Sequence, residues 1–148
     1  MRKERGFTMI EVMVVLVILM VLGALAYPSY AGYMVKTRRI EAQVAMIEAL
    51  QQEERHYAVH NTYIAFSADA LPDQPRFKWW SGSAASASAY ELDAQACLDR
   101  QLSQCVEVRA RPGTTRVDAR FQDAECGTLT LDSAGEHRAS GSSSRCWP

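Results

Sequence analysis

A single carboxylate interrupts the most apolar stretch of the chain. After Glu11 no charged residue occurs until Lys36, so Val12 to Val35 is a run of 24 residues without formal charge. About 20 apolar residues carry a helix across a bilayer core. A carboxylate at the entry of such a helix is expensive, and such residues are functional by default. The residues Gly6-Phe7-Thr8-Met9-Ile10 stand just before it, with Arg2, Lys3 and Arg5 upstream.

Other reactive side chains are few. Four cysteines, Cys97, Cys105, Cys126 and Cys146, are separated by 7, 20 and 19 residues. Without a C-x-x-C pair a zinc site is not expected, and an even count downstream of an export signal points to two disulfides in an oxidising compartment. Of the three pairings, the local one is the expectation: Cys97–Cys105 across a hairpin loop and Cys126–Cys146 over the C-terminus, each contributing about 2–4 kcal/mol. His56 and His60 are spaced i,i+4, but no third ligand is evident nearby, so they read as solvated histidines and no metal or cofactor is expected. Catalytic residues are not expected either. The chain has no glycine-rich phosphate loop, no paired carboxylates in a recognisable frame and no nucleophile elbow.

One local set of cations fits phosphate contact. Arg109, Arg111, Arg116 and Arg120 stand against Glu107 and Asp118, with Arg138 and Arg145 in the tail and Lys78 in a loop. On one sheet face these are candidate DNA contacts; a solvated face laced with ion pairs is the plainer reading. Global charge does not decide it. The net charge is −1; residues 1–6 carry +2 (three bases less Glu4), leaving −3 on the rest, so bulk electrostatics do not announce a nucleic-acid binder.

The elements that position these residues follow from periodicity. Ile40, Val44, Ile47, Leu50 and Tyr57 recur at helical spacing, with Arg38, Glu41, Glu48, Gln52 and Arg55 on the other side. One helix is expected from about Thr8 to about Val59, roughly 75–80 Å long, with Pro28 kinking or locally opening it. Asn61 to Ala89 reads as a loop, marked by Pro72, Pro75 and the Ser81–Ala89 run. Phe77, Trp79 and Trp80 sit in it as anchors for a small core or as an exposed stacking surface. Strands are expected at Tyr90–Leu98, Val106–Arg111, Arg116–Phe121, Gly127–Asp132 and His137–Ala139, with turns at Pro112-Gly113 and Asp132–Gly135. The fold class is α+β: a long N-terminal helix, membrane half plus amphipathic half, packed on a small antiparallel β-sheet of three to four strands with two disulfides.

The basic leader ending in Gly6, then Phe7, Thr8, Glu11 and the apolar run, resembles the class III signal of type IV prepilins. An ordinary signal peptide with a site at Ala24-Leu25-Ala26, or a plain anchor, fits less well because Glu11 lies inside the run. The resemblance implies cleavage after Gly6 by a prepilin peptidase and methylation of the new Phe7 amine. It also implies that Glu11 pairs with a neighbouring subunit's ammonium and that the segment at Pro28 melts during packing. Orientation rests on it too, since Arg2, Lys3 and Arg5 balance Lys36, Arg38 and Arg39. The implied layout is leader 1–6, transmembrane and filament-core helix 7–35, and head 36–148, with helix to about 59, loop 60–89 and sheet 90–148. The implied site is the inner membrane, leader cytoplasmic and head periplasmic, then an extracellular pilus. The stretch Cys126 to Gly135, ending in Cys146-Trp147, resembles minor pilins of the PilE kind. The Cys97/Cys105 pair is similar to that of the competence-type minor pilin that binds DNA uptake sequences. The function implied is a minor type IV pilin supporting pilus assembly, motility, adhesion or competence. Its partners would be other pilin subunits, the peptidase and the inner-membrane assembly machinery. A pilus-borne receptor for double-stranded DNA is the alternative, and a type II secretion pseudopilin a further one.

Overall fold

The computed structural model describes residues 6–69 and 77–148; leader residues 1–5 and the loop prolines Pro72 and Pro75 lie outside the described residues. The chain divides into two compact units, Met1–Lys36 and Thr37–Pro148. Helix α1 (Met9–His60) supplies residues to both.

In the first unit α1 begins on a capping box. Thr8 Oγ1 accepts from the Glu11 N–H at 3.4 Å, and Glu11 Oε2 accepts from the Thr8 N–H at 3.5 Å. Two N–H groups that a helix start leaves orphaned are thereby satisfied. None of residues 7–27 is buried, and the segment is long and apolar enough to cross a membrane. A helix apolar all round has to be covered by lipid or by other helices. Pro28 does not interrupt the helix, which is continuous through it; the missing N–H costs one bond, a loss that a membrane helix tolerates.

In the second unit the buried face of α1 is not the one that its large aliphatics suggest. Ala42, Ala45, Met46 and Ala49 form the buried stripe, with Leu50 and Tyr57 at its margin. Ile40, Val44 and Ile47 point away and are 46–50% exposed. The three alanines and Met46 join the buried cluster formed by the inner face of the sheet, so small side chains line most of the helix side of the core. Leu50 and Tyr57, at the margin of the core, are the part of the expected face that packs inward.

The sheet is an antiparallel meander in the order β1 (Tyr90–Ala96), β2 (Val106–Pro112), β3 (Leu129–Asp132), β4 (His137–Ala139). Register pairs Leu92 with Ala110, Ala94 with Val108 and Leu131 with Val108, and these residues join the core with Tyr90, Leu129 and Phe66. Segments of the preceding loop cover the outer edge of β1. Phe66 and Ala94 exchange backbone hydrogen bonds, Leu92 N–H donates to the Trp79 carbonyl, and Ser81 N–H donates to the Tyr90 carbonyl. Phe77 is buried and stacks on Phe66, while Trp79 and Trp80 are half-buried.

The strand expected at Arg116–Phe121 is instead a chain of turns. Val117 N–H donates to Thr114, Phe121 N–H to Asp118, and Asp118 N–H reaches across to Ser88. Thr114 and Asp118 favour such local bonding over a ladder. Gly113 opens these turns at φ +61°, where a Cβ would sit 2.1 Å from the Phe121 carbonyl oxygen. Disulfides join Cys97 to Cys105 and Cys126 to Cys146. Gln43 Nε2 donates to the Cys146 carbonyl at 2.6 Å, tying the second disulfide to the helix.

Candidate assembly helix and nucleic-acid interface

Gly6 and Phe7 lie immediately before the capping Thr8, and both are exposed. Glu11 therefore already has an intramolecular task, closing its own helix, and its carboxylate remains exposed.

The arginines are arranged by the register. Leu92, Ala94, Val108 and Ala110 face the helix, so Glu91, Asp93, Arg109 and Arg111 share the opposite face. Simple alternation would leave that face to solvent, yet Glu91 and Asp93 are buried at 5% and 4% exposure. The arginines bury them. Arg109 donates to Asp93 through Nε at 2.9 Å and also through Nη2. Arg111 Nη2 lies 3.2 Å from Glu91 Oε1. Its Nε lies 3.1 Å from Asp93 Oδ1, but off the N–H direction, so that contact is an ion pair without a hydrogen bond. Thr114 Oγ1 donates to Glu91, and Arg116 pairs with Asp69.

Three guanidiniums thus meet three carboxylates. Arg138 falls in the same register row as Arg109, across Thr130, about 10 Å away at two strand spacings; it pairs with Glu107 at 3.3 Å and Glu136 at 3.8 Å. Arg120 does not join them. It sits in the turns with a 95% exposed side chain and a loose 3.6 Å pair to Asp118. Lys78 Nζ donates to the Ser81 carbonyl at 3.4 Å, and Arg145 is 85% exposed beside Glu125. A guanidinium carries five N–H donors, so the strip keeps unused donors toward solvent even though its charge is largely balanced.

Two polar centres escape a reading by sequence. Arg39, which counts there only as a flanking cation, is buried and grips Asp123 with two bonds of 2.8 Å and Glu125 with one of 3.0 Å. The fully buried Tyr90 donates its hydroxyl to Asp123 at 2.6 Å. Burial pushes the Asp123 carboxyl up, but the bonds from Arg39, Tyr90 and the Cys126 N–H outweigh it and hold the group below its usual range. Glu53 is the opposite case. It is fully buried, accepts the Ile64 N–H at 2.9 Å, and leaves Oε1 without a partner among the described residues. Burial raises its pKa to about 7 against the opposing Ile64 bond, and neighbouring Glu54 adds to the rise. The sequence signal for both is a polar residue on the helix face that the alanines define. The grouping of Cys97, Cys105 and Asp132 offers no metal site, because its sulfurs are joined in a disulfide.

A long helix, apolar at its start and packed further on against a four-stranded antiparallel meander, with disulfides in the C-terminal part, is the architecture of a type IV pilin. The chain belongs to the family of the type IV minor pilin ComP, DNA uptake sequence receptor, whose model matches residues 28–130. The prokaryotic N-terminal methylation motif matches residues 1–27. Solved structures similar to it include a type IV pilin from Shewanella oneidensis, 24% identical, with 77% of this chain and 98% of that one aligned at a TM-score of 0.48. The non-core minor pilin PilV of Neisseria meningitidis is 19% identical, with 77% and 94% aligned at 0.49. No curated protein matches.

Proposed function

We propose that this minor pilin is cut after Gly6 and methylated on Phe7. It waits in the inner membrane with its head outside, enters a filament with other pilin subunits through the assembly machinery, and there receives double-stranded DNA. The family match over residues 28–130 carries this reading. Support for assembly comes from the exposed apolar start of α1, the exposed Glu11, the proline at 28 and the outward row Ile40, Val44, Ile47. Glu11 pairs with the Phe7 ammonium of a neighbour, since neither charge is tolerated alone in an apolar core.

The DNA contact is made by Arg109, Arg111, Arg116 and Arg138, whose unused N–H groups point away from the core, with Arg120 and Lys78 as outlying cations. Carboxylates already balance the strip, so few phosphates are neutralised. Two or three contacts give a slope of log affinity against log salt of about −2 to −3. The test is titration of the mature chain in detergent with labelled duplex DNA, including DNA of its own genome, at two salt concentrations. Binding that weakens with salt and falls again in Arg120→Ala supports the reading. Absence of binding at physiological salt refutes the receptor role and leaves a structural subunit.

A further inference from the structure

We propose that His56 and His60 form a bidentate surface site for a divalent transition-metal cation, with Cu(II) preferred over Ni(II) and Zn(II). The imidazoles stack with centroids 4.0 Å apart and planes 8° apart. Nδ1 of His56 lies 2.9 Å from the Thr62 carbonyl oxygen, and Nδ1 of His60 lies 3.1 Å from the His56 carbonyl oxygen. A carbonyl oxygen only accepts, so each Nδ1 carries its proton, and in the neutral rings each Nε2 is left with a lone pair. Neither Nε2 has a partner among the described residues. Each ring of the stacked pair thus keeps Nε2 as a ligand atom, with its other nitrogen donated to a backbone carbonyl. That is the supporting arrangement that metal-bound histidines use to fix tautomer and orientation.

The surroundings also favour a cation. α1 ends at His60, and the carbonyl end of a helix carries partial negative charge within its last turn. Arg55, one residue before His56, points about 100° away around the helix. Two histidines at i,i+4 lie on one helix face within reach of a shared cation, for which the usual metal–nitrogen distance is about 2.0–2.1 Å. Imidazole ligands suit copper, nickel and zinc, and the general affinity order places Cu(II) highest. Sequence reading sets a metal aside for want of a third ligand; an exposed chelate takes water, or a group from another subunit, in its remaining positions. Because His56 also holds Thr62, a bound cation clamps the last turn of α1 to the chain that leaves it.

The experiment titrates the full chain in detergent with Cu(II), Ni(II) or Zn(II) salts, each alone, by calorimetry. Electron paramagnetic resonance of the copper sample reads nitrogen coupling. One cation per chain is expected, copper bound tightest. Affinity should drop at least tenfold in His60→Ala and in His56→Ala and stay unchanged in His137→Ala, whose ring packs on Trp147. His60 is exposed, so His60→Ala is the deciding variant, with circular dichroism confirming an intact helix. Undiminished copper affinity in His60→Ala, copper coupling to a single nitrogen, or no binding in the millimolar range overturns the site.

Discussion

Replacing Glu53 by glutamine should flatten the dependence of head stability on pH. The folded chain raises this carboxyl from 4.5 to about 7. A group whose folded pKa is raised contributes its stability fully below the unfolded value and loses it as pH rises through the folded one. The shift is 7 − 4.5 = 2.5, and at 1.36 kcal/mol per unit the ionised form costs about 3 kcal/mol by pH 8.5. In a unit of this size that is on the order of 10 °C in Tm. Glu54, Tyr63, Tyr57 and His56 lie around the same helix end, with Tyr63 donating to Glu54 at 2.8 Å. They are the same in both proteins, so the difference between the two curves isolates Glu53. Glutamine keeps the acceptor for Ile64 N–H but places an amide where Oε1 has no partner, so the absolute Tm of the variant can fall by the cost of one unsatisfied donor. The decisive quantity is therefore the slope. The assay is thermal unfolding followed by near-ultraviolet circular dichroism between pH 5 and 8.5, wild type against Glu53→Gln. Parallel curves would refute the reasoning, since they would mean that Glu53 ionises at no cost.

Arg39→Met should destabilise the head by about 3–5 kcal/mol, because it strands a fully buried Asp123; adding Asp123→Asn should recover part of that, and a loss under 1 kcal/mol in the single variant, read by chemical unfolding, would contradict the buried network. Glu11→Ala should leave processing intact and block entry into filaments, and abundant subunit in sheared pili would count against pairing. Glu11→Gln keeps a side chain able to serve the capping box with Thr8 but carries no charge, so failure of Gln to assemble assigns the defect to charge, whereas normal assembly assigns it to the cap.

The order of elements was legible because each carries a local signal: the uncharged run after Glu11, the alternation of Val106, Val108 and Ala110, and the turn at Pro112-Gly113. What was misread depends on contacts distant in sequence. Ile40, Val44 and Ile47 have the right spacing for a buried stripe, but only the sheet decides which face it takes, and it takes the alanines. Arg116 to Phe121 has strand-like composition, yet Val117 packs inward while Asp118 bonds to Ser88, a partner 30 positions earlier. The arginine set was visible as composition. That Glu91 and Asp93 lie buried beneath it was not, since periodicity treats every outward position of a strand as wet.

That burial changes what the strip can be. Glu91 and Asp93 are charged groups removed from water, and their compensation comes from Arg109, Arg111, Arg116 and Thr114. Removing one of these arginines leaves a buried carboxylate under-paired, a change costly to folding whatever it does to a ligand. The same arginines cannot abandon their carboxylates for phosphate without that cost, so under the proposed receptor role a nucleic acid would be held by the donors they have to spare. Arg120 is free of this double duty, with a side chain almost wholly in water and only a loose partner. Under the proposed receptor role the strip would act as a nearly neutral, ion-paired lattice that supplies geometry, with the exposed Arg120 at its margin supplying the salt-sensitive share of binding.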